Sequence, residues 1–154
     1  MTAPLLDPAD PRHDHAAARL AAEAIAWLTT VDDDARPHSV PVWFLFTDPE
    51  ILLFSRPDTR KIARIRTRPG VCLSLDTAVS GTDVVLADGD AALSGEPAPA
   101  ELRAFGEKYR DMLGDQDLAG WRQVFAQPVR VRLHRIVAWH AGPDGLERAV
   151  ARPR

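Results

Sequence analysis

Glu50–Asp76 reads EILLFSRPDTRKIARIRTRPGVCLSLD and parses as strand, turn, short basic helix, turn, strand. Ile51–Phe54 is an apolar run of strand length. Ser55-Arg56-Pro57-Asp58 breaks it, and Asp58 is the expected helix N-cap, its carboxylate accepting first-turn N–H groups. Pro69-Gly70 ends the helix, because a proline disfavours helical backbone at the residue before it and has no N–H of its own. Val71–Leu75 then returns to strand pattern.

Charge sets this stretch apart. Arg56, Arg60, Lys61, Arg64, Arg66 and Arg68 are opposed only by Asp58, in a chain whose formal net charge is −3. A cationic turn running into a helix N-terminus can hold an anion: free N–H groups, the Ser55 and Thr59 hydroxyls, and Arg60 or Lys61 can converge on one phosphate. The competing reading is a solvated helix face, with Ile62 and Ile65 inward and the arginines in water.

The rest of the chain bounds the fold class. Its 154 residues, 45% hydrophobic and 27% charged, suit one globular domain. A pI near 5.9 argues against a general nucleic-acid binder. No apolar run reaches the roughly 18 residues of a membrane span, and the N-terminus lacks the order of a signal peptide. The single cysteine, Cys72, reads as strand packing and suits a reducing cytoplasm. Residues 1–15 are expected to be a flexible arm and 16–150 one domain. His13 and His15 flank Asp14 without a third metal ligand at suitable spacing, so no metal is expected.

From Ala16 an alanine-rich helix is predicted, with Ala17, Leu20, Ala21, Ala24, Ile25 and Leu28 as its stripe. Trp27–Val31 reads as a strand. Asp32–Arg36 reads as a hairpin turn, because it lacks the ligand spacing of a calcium loop. Pro37–Phe46 reads as one long strand, apolar on both faces, so that one face meets the core and the other a ligand, a helix or a second subunit. Pro41 removes a ladder donor and implies an edge or bulge. Thr77–Gly81 is a loop. In Thr82–Leu93 the apolar set changes phase at Gly89, the mark of a β-bulge. Helices are expected over Ala100–Leu113 and Asp117–Phe125, then strands over Val129–Leu133 and Ile136–Trp139, then a turn and a tail. Hairpins with few helical connections give an α+β class and a small closed or half-closed barrel.

The ordered set Pro37, Pro41, Trp43, Phe44, then Ser55, Lys61, Pro69, Val71, Leu73, then Gly89 and Ala91 resembles the pyridoxamine 5′-phosphate oxidase-like split-barrel family, and within it the flavin/deazaflavin oxidoreductases. The resemblance covers residues 24–95 well and the last third in outline. It implies a six-stranded split β-barrel that dimerises, with cofactor sites at the dimer interface. The cofactor ring would lie near Pro41, Val42 and Trp43. Its phosphate would lie on the Ser55–Lys61 turn, held by Lys61 first, then Ser55, Thr59 and Arg60, with Arg56 reaching the phosphate or the cofactor's tail. The branch resembled is that of coenzyme F420, whose anionic tail suits a cationic groove; abundant arginine and few lysines fit an actinobacterial source. FMN is the alternative cofactor, and a non-catalytic flavin, deazaflavin or haem module the alternative function. The implied chemistry is hydride transfer to or from an unsaturated small molecule. Tyr109, His38, His134 and His140 are candidate proton donors, and Trp43, Trp121 and Trp139 candidate stacking residues. A homodimer is expected from the apolar residues Trp43, Phe44 and Phe46.

Overall fold

The computed structural model describes residues 3–77 and 81–153. Along them run α1 (Pro11–Ala22), β1 (Ala26–Val31), β2 (Pro37–Val42), β3 (Phe44–Thr47), β4 (Glu50–Ser55), α2 (Arg60–Thr67) and β5 (Gly70–Leu75). Then follow β6 (Val84–Leu93), α3 (Pro99–Lys108), α4 (Arg110–Leu113), α5 (Leu118–Val124), β7 (Gln127–Gly142) and β8 (Gly145–Ala151). Of the expected Thr77–Gly81 loop, residues 78–80 lie outside the described residues.

All strand pairs are antiparallel, in the order β2-β1-β5-β6-β7-β4-β3, with β8 added on β7. Strands β2 and β3 end the row at opposite sides yet are separated in sequence only by Trp43. The chain therefore bends at Trp43 and brings the two ends of the sheet round to each other. The α+β split barrel is as the sequence predicts, with eight strands rather than six.

The expected long strand over 37–46 divides at Trp43. Pro41 lies on the sheet-edge strand β2, where a missing N–H costs no ladder bond. The expected tail folds back as β8, in register from Gly142↔Gly145 to Ile136↔Ala151. Its inward residues are Ala149 and Ala151, too small to mark a strand by hydrophobicity.

The bulge expected at Gly89 is present, but the extra residue sits on the facing strand. Asp88 pairs with Arg135 and Gly89 with Leu133, which leaves His134 unopposed. Val85, Ala87, Gly89 and Ala91 keep one unbroken inward phase in β6, whereas β7 changes phase between Leu133 and Ile136. Gly89 is required here: a Cβ would come within 2.4 Å of the Arg132 carbonyl oxygen.

Helix boundaries also shift. Helix α1 starts at Pro11, capped by Asp10, and ends at Ala22, so Ile25 and Leu28 of the expected stripe lie beyond it; Ala16 and Leu20 are its buried residues. The 15/16 boundary falls inside α1. Leu5 and Leu6 are buried, and their N–H groups each donate to the Asp48 carboxylate at 2.8 Å. Thr59, not Asp58, occupies the N-cap of α2; Asp58 instead lies 3.5 Å from Arg56. The helix expected over 100–113 breaks at Tyr109 into α3 and α4.

Two cores result. The barrel interior is filled by Leu28, Phe44, Ile51, Leu53, Leu73, Val85, Val129, Val131 and their neighbours, with Ile62 and Ile65 of α2 and Leu20 of α1. Outside the barrel, Leu52 and Phe54 point away from that interior and pack with Phe105, Tyr109 and Trp121, alongside Trp43, Leu45 and Phe125. Strand β4 is thus buried on both faces, which its unbroken apolar run requires. The same holds for the residues on which a homodimer was expected: Phe44 and Phe46 pack on the barrel core and Trp43 on the helices, so the helix is the cover for the second face.

Candidate cofactor site

At the Trp43 bend a cleft of about 280 Å³ is lined by Ile25, Pro41, Val42, Trp43, Phe54, Lys61, Trp121 and Phe125. Four of the expected site residues meet here. Pro41, Val42 and Trp43 arrive because β2 ends at the bend, and Lys61 because it lies in the first turn of α2 at the edge of the face that buries Ile62 and Ile65. Seven of the eight lining residues are apolar, and Lys61 is the only one that carries charge. It is half-buried and has no hydrogen bond or ion pair among the described residues. Desolvation lowers its pKa from the ordinary lysine value. An uncompensated ammonium in an apolar cleft is a site for an anion.

The turn before α2 supplies the floor. Ser55 is fully buried; its hydroxyl donates to the Arg56 carbonyl at 2.9 Å and lies 3.1 Å from the Thr59 hydroxyl. Thr59 also reaches the Arg56 carbonyl, at 3.3 Å. These two hydroxyls shape the turn. Thr59 occupies the N-cap of α2 but its side chain accepts no bond from the helix, so first-turn N–H groups are left for another acceptor. Arg56 and Arg60 are exposed; Arg56 is drawn to Asp58, and Arg60 has no ion-pair partner among the described residues.

Aromatic side chains build the opposite wall. Trp43 lies nearly parallel to Tyr109 (4.6 Å, 3°) and to Trp121 (5.0 Å, 7°), and Trp121 stacks on Phe125 (4.5 Å, 22°). Phe54 meets Trp121 edge-on at 5.9 Å. Ile25, Phe54 and Phe125 are lining residues that the sequence reading did not assign to the site. For Phe125 a signal existed, its i+4 spacing from Trp121 on one helix face; for Ile25 and Phe54 none did, since each is an apolar residue at an element end.

The other candidates are structural. Tyr109 is fully buried and its pKa is raised by desolvation. Its hydroxyl accepts from the Phe44 N–H at 2.7 Å and lies 2.8 and 2.9 Å from the Ala24 and Phe44 carbonyls. It thereby stitches the broken strand to the start of β1. His38 is 2.8 Å from Asp32, and His134 is exposed at the bulge. His140 stacks on His15 at 4.1 Å, and His15 is 3.0 Å from Asp83. His13 Nδ1 accepts from the Asp7 N–H. Trp139 lies on the outer sheet face, opposite Val84 and Arg148. The Cys72 thiol is pushed up to about 11, chiefly by burial. Among the described residues no three His, Cys, Asp or Glu side chains gather as a metal site, and no helix is long and apolar enough to cross a membrane.

The fold is thus a split barrel whose apolar cleft holds, among the described residues, an unpaired lysine at a helix start. The pyridoxamine 5′-phosphate oxidase model matches residues 13–143, and the chain belongs to that family of flavin-binding split barrels. Solved structures of similar fold include General Stress Protein 26 from Bacillus anthracis, 18% identical, covering 88% of this chain and 97% of that one at a TM-score of 0.63. A FAD-binding protein from Mesorhizobium loti is 21% identical, with 79% and 88% coverage and a TM-score of 0.57. An F420 reductase is 18% identical, with 88% and 90% coverage and a TM-score of 0.56. No curated protein matches.

Proposed function

We propose that this protein is an oxidoreductase that binds coenzyme F420, with FMN as the alternative, and exchanges hydride with an unsaturated small molecule. The observation that carries the reading is Lys61: an unpaired ammonium at the start of α2, in a cleft otherwise lined by apolar and aromatic groups. A ligand with a flat apolar body and one anionic group satisfies both at once. Support also comes from the family and from neighbours of the same fold named as an F420 reductase and a FAD-binding protein.

When bound, the cofactor supplies the hydride chemistry, and the protein supplies position and exclusion of water. Lys61 and the free N–H groups of α2 hold the phosphate. Arg56 and Arg60, exposed beside it, attract whatever anionic tail extends outward, which favours the deazaflavin coenzyme over FMN. Trp43 and Pro41, which line the cleft, would flank the ring, and Trp121 and Phe125 would keep that side dry.

The working unit is a homodimer in the cytoplasm. Its support is now an outward face rather than Phe44 and Phe46. Pro41, Trp27, Ser74, Leu86, Val137 and Val150 are cross-strand partners in one row from β2 to β8. Trp27 and Val150 in it are each 41% exposed and Leu86 is partly exposed, so a largely apolar band, interrupted by Ser74, is open to a second copy, and it begins at Pro41 on the cleft rim.

Parallel fluorescence titrations of the purified protein with coenzyme F420 and with FMN test the assignment. Tighter binding of F420 is expected. Tighter binding of FMN would move the protein to the flavin oxidases, and binding of neither would return the basic turn to surface charge.

A further inference from the structure

Helix α5 buries a single residue, Trp121, and that residue lines the cleft. Seven residues make a poor helix on their own, so tertiary contacts must hold it against β4. Leu118 and Trp121 pack on the outer core, and a polar contact adds direction to that packing. Arg122 grips Glu96, in the segment after β6, through two parallel bonds of 2.6 and 2.7 Å. Its guanidinium also lies 5.0 Å from the centre of the Phe54 ring, another cleft residue, and its Nε is buried with no hydrogen-bond acceptor among the described residues. A bidentate fork fixes direction as well as distance. Arg122 therefore sits between Glu96 and Phe54 and sets where Trp121, one residue earlier, and Phe125, stacked on it, stand relative to Trp43.

We infer that α5 is the specificity element of the cleft: Trp121 and Phe125 select the flat ring of the ligand, and Glu96 with Arg122 is the pair that positions them. This rests on the cofactor reading above and adds residues to it that lie outside the basic turn. It divides recognition in two. Lys61 recognises the anion, and α5 recognises the ring. The two contributions separate because Lys61 and α5 belong to different elements, with Lys61 on α2.

Riboflavin and FMN are the probes, since they share a ring and differ by the phosphate. Trp121→Ala and Phe125→Ala should weaken both by a similar factor, about tenfold or more, and preserve the ratio of their dissociation constants. Trp121→Phe and Phe125→Leu serve if the alanine variants fail to fold. Lys61→Ala should do the reverse, weakening FMN toward riboflavin and sparing riboflavin. Arg122→Met keeps the stem and removes the fork; it should reproduce part of the ring effect, and Arg122→Lys should recover little of it.

A readout that needs no ligand accompanies these titrations. The Trp121 indole, buried and stacked 5.0 Å from Trp43, should contribute near-ultraviolet circular dichroism that Trp121→Phe removes. Arg122→Met should diminish that contribution. Unchanged riboflavin affinity in the Trp121 and Phe125 variants, or a Trp121 contribution that survives Arg122→Met intact, would overturn the assignment. If the native protein binds neither flavin, the cofactor reading fails, and that contribution alone decides whether the pair positions the wall.

Discussion

Lys61 and Lys108 are the chain's two lysines, and both are half-buried with lowered pKa values. Their settings differ. Lys61 faces a cleft that a ligand can enter. Lys108 ends α3 with its Nζ buried, without a hydrogen-bond partner among the described residues, 3.8 Å above the Phe44 ring. Burial lowers its pKa to about 8, while Glu23 pulls the other way. Between about pH 8 and the unfolded lysine value the unfolded chain binds more protons, so stability rises with pH across that window. Below it the cost of holding the charge is fully present. Lys108→Met should raise stability at pH 7 by about 1 kcal/mol, after loss of the cation–π contact, and flatten the rise above pH 8. Urea unfolding at pH 7 and pH 10.5 checks this; an unchanged slope would sink it. For Lys61→Ala the expected result is a loss of about tenfold to a hundredfold in FMN affinity with the fold intact. An unchanged dissociation constant would remove the phosphate assignment.

Among elements, the pairing of β6 with β7 governs how the barrel curves. The bulge at His134 turns β7, so that its first half pairs with β4 and its second with β8. Gly89→Ala places a methyl group against the Arg132 backbone, which cannot move without breaking the ladder. A cost of about 2–4 kcal/mol is expected, read as a lowered midpoint in thermal or urea unfolding. The Tyr109 hydroxyl holds the chain in place beside the break between β2 and β3. Tyr109→Phe removes the acceptor of the Phe44 N–H and a donor to the carbonyls beside it, at a cost of about 1–3 kcal/mol. Because the Tyr109 hydroxyl anchors Phe44, next to Trp43 of the cleft, the same variant should weaken riboflavin binding, a second readout in the titrations above.

For the whole molecule, the apolar row from Pro41 to Val150 predicts the state of association. Light scattering should give the mass of two chains at micromolar concentration. Leu86→Asp, at the middle of the row and only partly covered in the single chain, should give one chain without loss of the barrel. A native protein of single-chain mass would remove the dimer from the proposal.

What the sequence by itself determined is the local grammar. Strand periodicity, the edge position of Pro41, the helix stop before Pro69, the bulge at Gly89 and the basic turn into α2 each act over a few residues, and each appears in the structure close to where it was read. Lys61 was legible because charge clusters are visible in a linear chain. Other features were decided only by tertiary structure. Trp43 breaks its strand because the sheet must curl until its two ends meet. Apolar residues on both faces of one strand left a helix, a ligand and a second subunit equally open, and the docking of α3 and α5 chose the helix. The tail became a strand because β7 offered it a free edge, although Ala149 and Ala151 carry little hydrophobic signal. Ile25, Phe54, Trp121 and Phe125 come from three distant segments. A cleft is a relation among elements, and no local pattern in the chain encodes it.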